Sequence, residues 1–276
     1  MTCAKFGNRD RSGREAVKRI PAVETNPDGK IRFFCGKHGF VDGKVLVINN
    51  VRMDPICPIC EKEESENVSE IEKRRREELQ AQIRMERYRG MNIDEEFWGK
   101  TVENYVPKCE SQRRAKEAVS RLIEKKHGKV ILLGNNGCGK SHLGNAAVSA
   151  LGGKVYTIYE INTMIRGSYS ALATRTELDI VNELASIPML FIDELGRSKG
   201  SKFELDWLSF VCTRRHQRNL PYMIAGNGHL MRDCPNGQAH CDGCFENFLG
   251  NDVLSRLGQD TEIVTMYNAP DFRRKK

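Results

Sequence analysis

Gly134-Asn135-Asn136-Gly137-Cys138-Gly139-Lys140-Ser141 fits G-x-x-x-x-G-K-[ST], the phosphate-binding loop. Its flanks have the order that the mechanism needs. Lys129 to Leu133 is a short apolar run that reads as a buried strand, and His142 to Leu151 reads as a helix ending at Gly152-Gly153. Glycines let backbone N–H groups approach phosphate oxygens, and the following helix start favours an anion. Lys140 is placed to reach the β- and γ-phosphates of a nucleotide, and Ser141 to hold Mg²⁺. The nucleotide-contacting stretch is therefore taken as Gly134, Asn135, Asn136, Gly137, Cys138, Gly139, Lys140, Ser141 and His142.

Outward from the loop, Lys154 to Ile158 reads as a second strand and residues 160–186 as helices. Pro188-Met189-Leu190-Phe191-Ile192-Asp193-Glu194 then places two carboxylates after a buried apolar run. In an open parallel sheet, ligands bind at the carboxyl ends of the strands. Asp193 is expected in the Mg²⁺ shell, and Glu194 as the general base for an attacking water. A small-molecule kinase has no need of that glutamate, so the pair argues for ATP hydrolysis. Residues 203–218 read as a helix, and Pro221 to Asn227 as a further strand, with Asn227 placed to sense the γ-phosphate or orient water. Asn251 to Leu257 reads as a helix and Glu262 to Met266 as the last strand. Upstream, Gln112 to Lys126 reads as an amphipathic helix. Phe97, Trp98, Val102, Tyr105 and Val106 form an apolar segment that packs the domain edge or covers a nucleotide base.

A second signal lies near the amino end. Cys35-x2-His38 and Cys57-x2-Cys60 are separated by eighteen residues. Two close ligand pairs joined by hairpin material at 41–48 are a way to build a tetrahedral Zn²⁺ site. So small a unit needs the metal for its folding energy. A third cysteine group, Cys234, Cys241 and Cys244, follows Asn227. Its fourth ligand is either His229 or His240, and His229 is better placed because His240 adjoins Cys241. This gives a candidate second Zn²⁺ site.

The 276 residues are 39% hydrophobic and 29% charged, with a net charge of +7 and ten cysteines. No stretch approaches the length of a membrane span, and the start has no apolar signal core. A cytoplasmic protein without membrane contact is expected, its clustered cysteines serving metal rather than disulfides. The expected organisation is a basic tail at 1–30, a zinc-binding module at 31–61, a charged helical linker at 62–92 and an ATPase domain at 93–276.

Together, GNNGCGKSHL (134–143), MLFIDELG (189–196), the Asn227 strand end and Ser255-Arg256-Leu257 resemble the AAA+ helicase loaders of the DnaC type and the related IstB-type transposition helpers. The resemblance runs over roughly 95–273, and the Cys/His unit resembles the zinc module of phage-type members. It implies an α/β fold with a five-stranded parallel sheet between helices and no C-terminal lid. It further implies that Asn227 is sensor 1 and that Arg256 is an arginine finger completing a neighbour's site. Arg273 would be a second arginine near that interface. The function implied is ATP-driven delivery of a replicative helicase to DNA. The implied partners are that helicase, single-stranded DNA and further copies of the chain joined through shared ATP sites. A transposition helper and a non-hydrolysing, nucleotide-switched adaptor are the alternatives.

Overall fold

The computed structural model describes residues 30–45, 47–48, 51–196, 202–234, 241, 244–246, 249, 261–267 and 269–273. Residues 1–29 of the basic tail expected at 1–30, His240, the helix expected at 251–257 with its Arg256, and the last three residues lie outside them. The chain divides into two compact units, Met1–Ala81 and Gln82–Lys276.

In the first unit, strands β1 (Ile31–Cys35) and β2 (Gly39–Gly43) form an antiparallel hairpin. Short strands β3 (Val47–Ile48) and β4 (Val51–Arg52) pair beside it in sequence. The hairpin thus turns inside the C-x2-H pair rather than across the expected spacer at 41–48. Gly39 sits at φ +72°, a conformation that glycine adopts without strain. The helix α1 (Pro58–Gly90) starts four residues before the expected linker. Pro58 at its first position explains the early start, because the missing N–H is one a helix start leaves unused. The unit boundary falls within α1, between Ala81 and Gln82. No residue of α1 is buried, and Arg74 pairs with Glu70 at 3.0 Å along its surface. Such exposed pairs contribute well under about 1 kcal/mol each.

The second unit is a parallel sheet flanked by helices. Its elements are α2 (Glu110–Lys125), β5 (Lys129–Gly134), α3 (Lys140–Leu151), β6 (Gly153–Thr157), α4 (Ile158–Gly167), α5 (Glu177–Ser186), β7 (Met189–Leu195), α6 (Lys202–Gln217), β8 (Tyr222–Gly226) and β9 (Thr261–Met266). The five strands lie in the order β6-β7-β8-β5-β9, all parallel. Every residue of β5 and β8 is buried, as continuous apolar runs in a two-sided sheet should be. Alternate side chains feed a hydrophobic cluster on each face, one under α4, α5 and α6, the other under α2 and α3. Met91 and Ile93 are buried in the second cluster, and the Val155 amide donates to the Met91 carbonyl (3.0 Å). The segment before α2 therefore packs on the sheet. Among the described residues, no helix is long and apolar enough to cross a membrane.

Helix α3 lies close to the sheet at Gly144. A Cβ there would stand 2.2 Å from Cε1 of Phe191, which is fully buried in β7. Gly→Ala inside a helix ordinarily gains about 1 kcal/mol. Forcing a carbon into a close-packed core costs about 1–3 kcal/mol. Gly144→Ala is therefore expected to lower the unfolding free energy, read by denaturant titration. A gain of stability would show that α3 shifts freely off the sheet.

Candidate functional site

The loop between β5 and α3 is held from below by its carbonyls. Tyr105 Oη donates to the Cys138 carbonyl (2.9 Å), and Gln112 Nε2 donates to the same oxygen (3.2 Å) and to Pro270 O (3.3 Å). The Phe272 amide donates to Gly137 O (2.9 Å). Gly139 sits at φ +98°, and a Cβ there would lie 2.4 Å from the Tyr105 ring. Gly137 sits at φ +75°, where a Cβ would meet the Asp271 carboxylate at 1.7 Å. Both positions thus require glycine on conformation and on space.

These supports leave the loop's other face to a cleft of about 690 Å³ at the carboxyl ends of the strands. Asn136, Gly137, Gly139, Lys140, Ser141 and His142 line it, with Asp193, Glu194, Asn227 and Arg273 across from them. Its volume lies within the range of small-molecule sites. Of the expected nucleotide-contacting stretch, Gly134, Asn135 and Cys138 do not line it. Cys138 is fully buried, Gly134 lends its carbonyl to Lys140, and the Asn135 side-chain Nδ2 donates to Tyr267 O. Phe97 and Val106 line the cleft, whereas Val102 is packed in the core and Trp98 stacks on Tyr88.

Lys140 is nearly buried. Its Nζ donates to Gly134 O and Asn135 O (both 2.8 Å) and to Asn227 Oδ1 (3.0 Å). Burial lowers its pKa. Ser141 and Asp193 line the cleft together, and burial pushes the Asp193 carboxyl up against the opposing effects of the Ser141 hydroxyl, the Glu194 amide and Lys140. Two hard oxygen donors thus meet beside the phosphate loop, a donor set that suits Mg²⁺ with several waters retained.

Glu194 owes its placement to a backbone irregularity. The pairing of β7 with β8 shifts register between Ile192 and Leu195, and Glu194 sits at φ +60°. A bulge re-aims a side chain, and a non-glycine residue in the left-handed region is strained. No residue pattern in the apolar run announces the bulge.

In the first unit, the ligand atoms of Cys35, His38, Cys57 and Cys60 lie within 4.8 Å of one another. Cys35 Sγ is 3.6 Å from Cys60 Sγ, and His38 Nδ1 lies 3.4, 3.6 and 3.8 Å from the sulfurs of Cys60, Cys57 and Cys35. Tetrahedral bonds of about 2.3 Å to sulfur and about 2.0 Å to nitrogen separate ligand atoms by about 3.5–3.8 Å, so the four atoms fit Zn²⁺. Backbone N–H groups of Lys37 and His38 draw the Cys35 thiol down to about 6, toward the thiolate that a metal needs. Across the ring, His38 Nε2 meets Glu63 Oε1 at 3.2 Å. A carboxylate in this position fixes a ligating histidine's tautomer. Sequence spacing did not single out Glu63, although it lies one helical turn beyond Cys60.

His229, Cys234, Cys241 and Cys244 form a second such group, also within 4.8 Å.

No protein-family model matches the chain. Among curated proteins, it is 24% identical over 183 residues to "Replicative helicase loader DnaC" of Escherichia coli (strain K12), covering 63% of this chain and 69% of that one. Its identity to the protein of the same name from Buchnera aphidicola subsp. Schizaphis graminum (strain Sg) is 28% over 202 residues, covering 70% and 77%. Among solved structures, the crystal structure of the DnaC helicase loader is 20% identical and covers 62% of this chain and 99% of that one, with a TM-score of 0.49. This chain is therefore similar to the AAA+ helicase loaders of the DnaC type.

Proposed function

We propose that this chain is an ATP-hydrolysing helicase loader. The observation that carries the proposal is the convergence of Lys140, the Ser141–Asp193 pair, Glu194 and Asn227 on one cleft. The names of its curated relatives support the loading role. In this reading Lys140 neutralises phosphate charge, and the amides of the loop and of the start of α3 bind phosphate oxygens. Mg²⁺, held by Ser141 and Asp193, supplies further charge neutralisation. Glu194 takes a proton from the attacking water, and Asn227 reports the γ-phosphate from the end of β8. The partners are a replicative helicase and single-stranded DNA, and further copies assemble through shared ATP sites.

The test measures transfer of the host's replicative helicase onto single-stranded DNA circles with ATP. Transfer should require this chain, Lys140 and ATP. Transfer that proceeds equally with the Lys140→Ala chain would defeat the proposal, as would ATP binding with no effect on the helicase.

A further inference from the structure

We propose that the nucleotide-binding unit carries its own tetrahedral Zn²⁺ site, formed by His229, Cys234, Cys241 and Cys244. This site is separate from the amino-terminal one. It also does not depend on the reading of the cleft as an ATP site.

The backbone gathers the four residues by local means. His229 follows β8 by three residues and forms an isolated parallel bridge with Cys244. The Phe245 amide donates to His229 O (2.7 Å), so the segment carrying the last cysteine is clamped beside the histidine. The Cys244 amide donates to Cys241 O (3.0 Å), which is the tight turn of a C-x2-C pair. A short 3₁₀ turn at Met231–Asp233 brings Cys234 back toward His229.

The chemistry of the histidine points to a ligand. His229 is 6% exposed. Its Nδ1 is committed to the Tyr267 hydroxyl at 2.9 Å. Its Nε2 is fully buried and has no hydrogen-bond partner. Leaving such an atom unsatisfied is costly. A metal at Nε2 removes that cost. Nδ1 then carries the ring hydrogen and donates it to Tyr267 Oη, the outer contact that orients a ligating imidazole. A cation is what would stabilise three thiolates packed this closely. Three sulfurs and one nitrogen fill a four-coordinate shell and leave no open position, as in a structural site.

The site ties the segment after β8 to the residue that follows β9. Asn227, two residues before His229, accepts from Lys140. Tyr267, directly after β9, touches His229 through its hydroxyl and the loop residue Asn135 through its carbonyl.

The experiment is metal stoichiometry of the full chain, purified under reductant and dialysed. Two Zn²⁺ per chain are expected. One should remain in Cys35→Ser/Cys60→Ser, whose lesion is confined to the other unit, and one in Cys241→Ser/Cys244→Ser. The first variant keeps the test sharp even if the second does not fold. The proposal is overturned by one Zn²⁺ in the wild-type chain and none in Cys35→Ser/Cys60→Ser. Retention of two in Cys241→Ser/Cys244→Ser overturns it equally.

Discussion

Glu194→Gln is expected to bind ATP as the wild-type chain does and to hydrolyse it about 10²–10⁴-fold more slowly, the usual contribution of a positioned general base. The amide matches the carboxylate in shape but cannot take a proton. The bulge that aims residue 194 is a property of the backbone, so the side chain should stay where it is. Asp193→Asn should behave differently. It disturbs the pair with Ser141, so the Mg²⁺ concentration needed for turnover should rise along with the loss of rate. Glu194→Gly adds a control on strain. At φ +60° glycine is unstrained, so this variant should be inactive yet no less stable than the wild-type chain. Phosphate release, nucleotide titration and denaturant unfolding measure the three effects. Wild-type turnover by Glu194→Gln would remove the base from this position.

The parts of this site that could be read in the sequence are those in which one residue type meets one backbone demand. The glycines and lysine of the loop sit between a run too apolar for any surface and a helix start, and the five parallel strands follow from such runs. Other features had local signals of a different kind. Thr157 and Glu160 form a capping box, which ends β6 one residue before the expected strand end and starts α4 at Ile158. Thr176 and Asp179 do the same for α5, which starts at Glu177 within the stretch 160–186 that reads as helices. Gln112 shares the apolar face of α2 with Ala115, Val119 and Leu122. A polar residue in that register signals a buried hydrogen-bonding task, here the Cys138 carbonyl. The bulge at Asp193-Glu194 and the role of Glu63 had no such signal. Both depend on atoms brought together only by tertiary structure.

Removing Zn²⁺ is expected to unfold the β1–β2 hairpin while leaving the parallel sheet formed. The hairpin buries little. Phe34 and Phe40 pack edge to face, yet both are largely exposed at 65% and 70%. A two-stranded hairpin is marginal by itself in water. Structural Zn²⁺ binding supplies roughly 10–16 kcal/mol at neutral pH, far more than such contacts give, so metal loss should be folding loss here. The sheet is different, because its strands are buried on both faces by two hydrophobic clusters. Cys57→Ser should act like the chelator on the first unit, since Cys57 is the most buried of that unit's four ligands. Hydrogen exchange on the full chain reads both units at once. Amides of 31–43 should lose protection in Cys57→Ser, while those of 129–134 and 222–226 keep it. Nucleotide affinity should be unchanged in the same sample. Undiminished protection of 31–43 in the metal-free chain would mean that the hairpin stands without its metal and that Cys35, His38, Cys57 and Cys60 do not hold it together.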